Sequence, residues 1–174
     1  LEYLLGLIGS ITMIGSPLAW TAIHRQHHGH ADTDKDVHSP YKLGWWRAWF
    51  GFWNIQHINP KYIKDIRKNP YYKFTHKYYF YINIAYVAVL FLINPLLVIF
   101  AYAIPTVLVL HSTSAIIVIA HIHGYKNHSI DDESRNSWIA SLITLGEGWH
   151  NNHHANSKAW NNQERWWELD PPAW

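Results

Sequence analysis

The chain has 174 residues, enough for one domain with a core of useful size. Hydrophobic residues make up 49% and charged residues 15%, well below the roughly 25% charged of an average soluble protein, which points to a membrane or a very apolar interior. A net charge of +2 is too small to argue for nucleic acid, and the absence of cysteine excludes disulfides and thiolate chemistry.

The mean hydropathy of -0.17 averages over segments that differ sharply. Leu1–Trp20 is apolar and long enough to span a membrane, but Glu2, Gly6, Gly9, Gly15, Ser16 and Pro17 interrupt it. It reads as a helix lying in the membrane interface, with a true span as the rival. Next comes "HRQHHGHADTDKDVH", His24 to His38, holding five of the fourteen histidines. Tyr41–Lys77 is wet and basic, with eight Lys/Arg against the single Asp65, and short positive connections stay on the cytoplasmic side.

Tyr78–Ala120 carries no Asp, Glu, Lys or Arg in 43 positions. A crossing helix needs about 20 apolar residues, so the run suits two, over 78–93 and 96–119, with Asn94-Pro95 as the turn. Pro105 should kink the second. All eleven Trp lie outside this run, many in "GWWRAWFGFW" (Gly44–Trp53) and "ERWWELDPPAW" (Glu164–Trp174), as expected near membrane–water boundaries. Two crossings return the chain to the side it left. The expected fold is therefore an all-α membrane protein of one domain, 1–174. A transmembrane helical hairpin over about 78–119 would support a cytosolic helical cap that carries the histidines.

After the hairpin comes "GEGWHNNHH", Gly146–His154. His150, His153 and His154 repeat the H-x-x-H-H spacing of His24, His27 and His28. On a helix these positions share a face, so each triplet aims three imidazoles at one point. Neutral imidazole suits iron, copper, nickel or zinc, and six converging nitrogens exceed what one tetrahedral zinc uses, which favours two metals. His121 emerges at the end of the second crossing as a plausible seventh ligand, with His123 beside it. His111 lies roughly 15 Å deeper at helical rise, either functional or a satisfied neutral side chain. His30, His38, His57, His76 and His128 lack such pairing and suit the surface or a supporting role. Asp32, Asp34 and Asp36 are placed to orient ligand imidazoles through their second N–H, or form a solvated loop; Glu147 has the same two readings. No GxSxG, GxGxxG, Walker loop, HExxH or Glu-x-x-His pattern competes.

"HRQHHGHADTDKDVHSP" resembles the second histidine box of membrane fatty acid desaturases of the acyl-CoA (stearoyl-CoA, delta-9) type. "SLITLGEGWHNNHH" is similar to their third box, and "HIHGYKN" to their H-x-x-G-Y-R segment. The resemblance runs from Leu1 to about Trp167. It implies two iron ions at the cytosolic face above an acyl tunnel, with ligands His24, His27, His28, His121, His150, His153 and His154, and an interfacial helix at Leu1–Trp20. Asp32, Asp36, His38 and Glu147 would stand behind the ligands.

The implied reaction is oxygen-dependent removal of two hydrogens from a long acyl chain carried on CoA, on acyl carrier protein or on a lipid. Electrons would come from a donor such as cytochrome b5 or ferredoxin, for which Tyr41–Lys77 offers a basic docking surface. Two departures stand out. The family's first box, H-x-x-x-x-H, is expected upstream of Leu1, and Ile117 occupies a position where the family usually has an Asn that reaches iron through water. A membrane hydroxylase or ketolase with similar boxes is the near rival. A membrane metal-binding or transport protein is the distant one, although its spans would need more polar ligands.

Overall fold

A computed structural model describes residues 1–51, 53, 55 and 59–174. Its helices are α1 (Glu2–Ser10), α2 (Pro17–His30), α3 (Pro40–Leu43), α4 (Trp45–Trp49), α5 (Pro70–Lys77), α6 (Tyr79–Ile93), α7 (Pro95–Val98), α8 (Ile104–Ile122), α9 (Trp138–Thr144) and α10 (His150–Ala155). Among the described residues there is no strand, only isolated bridges at Tyr125–Asn136 and Asn136–Trp149. The chain divides into two compact units, Leu1–Arg25 with Ile58–Leu110 and Gln26–His57 with His111–Trp174.

A two-letter signal opens many of these elements. Ser16-Pro17, Ser39-Pro40, Asn59-Pro60, Asn69-Pro70 and Asn94-Pro95 each start a helical segment. Proline pushes the preceding residue to extended backbone and suits the first helical position, while the Ser or Asn side chain accepts an otherwise unpaired N–H. Asn69 accepts from Tyr71 N at 2.9 Å, and Asn94 from Leu96 N at 2.9 Å. Asn94-Pro95 thus both ends α6 and caps α7.

In the first unit, Leu1–Trp20 is not the single helix expected. It ends at Ser10 and restarts at Pro17, because Met13 (φ 63°) and Gly15 (φ 135°) turn the chain left-handed and Pro17 bars helical backbone at Ser16. The inner face of α1 is small and polar. Tyr3 stacks on Tyr71 at 4.4 Å, Tyr72 Oη donates to Glu2, and Asn83 Nδ2 donates to the Ser10 carbonyl at 3.1 Å.

The stretch expected to hold the second crossing lies in one helical run, Pro95–Ile122, the only helix among the described residues that is by itself long and apolar enough to span a membrane. Pro105 lies within this run. Its ring would clash with the Ala101 carbonyl in a regular helix, and it has no N–H to offer that oxygen. The backbone widens into a π turn over Ile99–Ala103, and Tyr86 Oη makes a long hydrogen bond, 3.5 Å, to the same oxygen. Residues 78–93, the stretch expected to hold the first crossing, contain α6. α6 has 15 residues, about 22 Å at helical rise, and it meets α5 at a bend of 69°. Its outward residues are apolar, Leu92 being 83% exposed, while buried Asn83 accepts from Tyr102 Oη at 3.1 Å.

The second unit packs α4 against the C-terminal part of α8. Ala48, Ile117 and Val118 form a core flanked by Trp49 and Trp53. Ser114 Oγ donates to the Trp49 carbonyl at 2.7 Å, and Trp49 Nε1 donates to His111 Nδ1 at 3.1 Å. His111 is therefore a satisfied acceptor, the blander of its two readings. Ile117 supplies apolar packing where the family resemblance leads one to look for an amide.

Candidate metal centre

α2 presents His27 and His28 in its last turn, α8 presents His121 in its last turn, and α10 carries His150, His153 and His154. His27, His121, His150 and His154 each offer a ring nitrogen, all within 4.8 Å of one another. The Nε2 atoms of His27 and His154 are 3.2 Å apart, those of His121 and His150 3.2 Å, and those of His28 and His153 2.9 Å. His24 belongs to the first unit, one turn ahead of His28 on α2, its ring stacked on Trp20 at 5.8 Å.

Three carboxylates set the tautomers. His27 Nδ1 donates to Asp36 at 2.9 Å, His121 Nδ1 to Asp32 at 2.9 Å, and His154 Nδ1 to Asp132 at 2.7 Å. A carboxylate only accepts, so the proton sits on Nδ1 and each Nε2 is left as a bare lone pair. Between His27 and His154 two bare lone pairs therefore face each other at 3.2 Å, and they repel unless a cation lies between them. Two nitrogens bound at about 2.1 Å to one cation sit about 3.0–3.4 Å apart, between octahedral and tetrahedral angles. The residues present fit a metal held by imidazole.

The electrostatics agree. Burial, then the surrounding imidazoles, hold His150 well below the ordinary histidine range, which keeps it neutral and able to ligate. Burial also lowers His154, opposed in part by Asp132. Asp32 and Asp132 are pushed up by burial, yet their hydrogen bonds and attraction to His121 and His154 outweigh it and hold both below the usual carboxylate range. Asp36 goes the other way: burial prevails and raises it.

Of the residues foreseen in supporting roles, Asp32 and Asp36 each accept from one imidazole. His38 is buried with its ring 4.3 Å from that of His27, and Asp36 accepts its backbone N–H at 3.1 Å. Asp34 turns outward to Lys42. Glu147 is a correction: it is exposed, and it is not among the carboxylates that hold an imidazole. The loop between α9 and α10 bends so that its glycines, not Glu147, are buried. A Cβ at Gly148 would lie 2.1 Å from Ser141 N, and one at Gly146 (φ 119°) 2.8 Å from Asp170 Cα. His76 pairs with Ser16 and His128 with Glu164, His123 is exposed, and His57 lies outside the described residues.

The sequence reading missed Asp132 and the network behind α10. Asn152, Asn136, Asn127, Tyr125 and Glu168 are tied together by hydrogen bonds, and Glu168 is 0% exposed. Burial pushes Glu168 up, but its donors prevail and hold it below its ordinary value. The tryptophans also divide: Trp166 is 82% exposed, whereas Trp149 is 1% exposed and donates to the Leu169 carbonyl at 2.8 Å.

Clustered imidazoles backed by carboxylates, on a chain whose described elements are helices and include one long and apolar enough to span a membrane, make a group able to hold a metal ion. Comparison with known proteins narrows the class: residues 2–174 match the fatty acid desaturase family model. The chain is 37% identical over 174 residues to the sn-1 stearoyl-lipid 9-desaturase of Anabaena variabilis, covering 98% of this chain and 64% of that protein. It is 34% identical over 182 residues to the sn-2 palmitoyl-lipid 9-desaturase of Nostoc sp. (strain 36), covering 100% and 64%. Against the icosanoyl-CoA 5-desaturase of Limnanthes douglasii it is 33% identical over 177 residues, covering 97% and 49%. The chain belongs to the fatty acid desaturase family and spans 64% or less of the length of these relatives.

Proposed function

We propose that the whole protein is an oxygen-dependent fatty acyl desaturase that introduces a cis double bond into a long acyl chain. The observation that carries the reading is the four-imidazole group with Asp36, Asp32 and Asp132 fixing the protons of three members. The ligands would be His24, His27, His28, His121, His150, His153 and His154, holding two iron ions. Iron bound there would supply the activation of O₂ that removal of hydrogen from an unreactive methylene requires.

The protein's own residues do the rest. Carboxylates hold the imidazole protons on Nδ1 so that Nε2 stays free to ligate. An apolar groove of about 430 Å³ is lined by Trp49, Phe50, Val118, Ile122 and His123, among others, and suits an acyl chain. Carbon positions along such a chain differ only in distance from its ends, so the groove has to set which pair reaches the metal. On this reading 78–93 and 96–119 cross the membrane and the histidines face the cytoplasm. Electrons come from a donor such as cytochrome b5 or ferredoxin. The acyl carrier is a lipid or CoA, since relatives named for each stand at similar identity.

The test is expression of the complete protein in cells lacking an endogenous desaturase, followed over time by analysis of the lipid-bound and CoA-bound acyl pools. New monounsaturated chains support the reading, and the pool in which they first appear identifies the carrier. Hydroxylated chains in their place, or an unchanged profile with iron bound, overturn it.

A further inference from the structure

α10 has six residues and carries three of the candidate ligands, yet nothing within it can hold it in place. Isolated helices shorter than about 12–15 residues are marginal in water, and Trp149, at its N-cap, offers no side-chain cap. Its orientation must come from neighbours. The opposite side of the helix supplies them: Asn136 Oδ1 accepts from the N–H groups of Asn151 and Asn152 at 3.0 and 3.2 Å, and Asn151 Oδ1 accepts from Asn127 N and His128 N.

These contacts lead to one carboxylate. Glu168 accepts from Asn152 Nδ2 at 2.9 Å, Asn127 Nδ2 at 2.9 Å, Tyr125 Oη, and the backbone N–H groups of Glu164 and Arg165 at 3.0 and 2.9 Å. Three separate segments therefore meet on two oxygen atoms: the loop after α8, the helix with the ligands, and the C-terminal segment. The nearby Arg165 guanidinium lies over the rings of Tyr125 and Trp167, so hydrogen-bond donors answer the buried charge. A buried carboxylate left without such donors costs several kcal/mol, so the arrangement is all or nothing: lose the acceptor, and five donors are stranded together.

We infer that Glu168 is a positioning residue for the metal centre, acting through Asn152 to fix the direction in which His150, His153 and His154 point. It touches neither metal nor substrate. This inference rests on the metal-binding reading above, and cobalt(II), whose visible absorption reports ligand geometry, separates the two.

The experiment titrates cobalt(II) into the full-length protein in detergent, wild type and Glu168→Gln, and records affinity, visible spectrum and thermal melting. Glutamine keeps the shape of the side chain but places an amide N–H₂ against existing donors. The expected result is a folded variant that binds cobalt about tenfold more weakly, the size typical of lost support behind a ligand, with a changed visible spectrum. A variant that melts earlier but binds cobalt with wild-type affinity and spectrum overturns the inference, because the role is then only structural. Wild type that takes up no cobalt at the histidines overturns the metal reading itself. Should Glu168→Gln not fold, Tyr125→Phe carries the test by deleting one donor and keeping the ring. A weakened, spectrally altered site then supports the inference, and an unchanged one overturns it.

Discussion

The two histidine triplets have the same spacing and opposite means of support. His27 and His28 ride in the last turn of a 14-residue helix that begins at Ser16-Pro17, and one nearby acid, Asp36, braces His27. His150, His153 and His154 ride on six residues held by side chains from two other segments, the loop after α8 and the C-terminal segment. A long helix brings its own rigidity, whereas a short one has to be clamped by distant residues. Equal motifs therefore imply unequal dependence on the remainder of the molecule.

The largest effect should come from the ligands, where the two sides ought not to differ. His27→Ala and His154→Ala are each expected to bring product below detection in the expressing-cell assay, with metal content reduced in both. A variant with full activity would remove that histidine from the site. One step out, the difference should show. Replacing a carboxylate behind a metal-bound imidazole typically costs about 10–100-fold in affinity. Asp132→Asn is expected near the upper end and Asp36→Asn near the lower, measured by competition with a chelator. Equal losses would mean that helix length does not matter here.

A smaller effect should appear in the pH dependence of the metal-free protein. Burial and neighbouring imidazoles depress His150 in the folded state, so the unfolded chain takes up this proton first as pH falls below about 6.5. Stability should decline from there downward. Asp132, also depressed, contributes stability that is complete above the ordinary aspartate value near 3.8 and stays silent in this window. Melting temperatures between about pH 7.5 and 5.5 should fall with pH, and less steeply in His150→Asn; parallel slopes would refute the assignment. The smallest effect belongs to Asp34→Asn. This acid sits between Asp32 and Asp36 in sequence but points to solvent, and neither metal content nor melting temperature should change.

The contrast also marks what the sequence could reveal. H-x-x-H-H is legible because helical geometry alone puts its members on one face, and Asp32 and Asp36 lie within a few residues of the ligands they serve. The long helix Pro95–Ile122 is legible because its stretch of sequence is apolar and uncharged throughout. Asp132 and Glu168 are not legible. Each reaches its partner from an irregular loop, where no period connects sequence position to direction. Glu147 misled for the complementary reason: it is next to the third triplet along the chain, yet the loop turns it away. The break at 11–16 was signalled by Gly15, Ser16 and Pro17, but a mainly apolar composition concealed it.

The close approaches at Gly146 and Gly148 have a practical consequence. At each, two stretches of backbone meet with no room for even a methyl group, so neither position tolerates gradual adjustment. Glu147, between them, is itself exposed. Because the chain has no cysteine, Glu147→Cys would create a unique attachment point. A fluorophore or spin label there would ride rigidly on the loop that leads into the third triplet and report its movement as metal or acyl chain arrives.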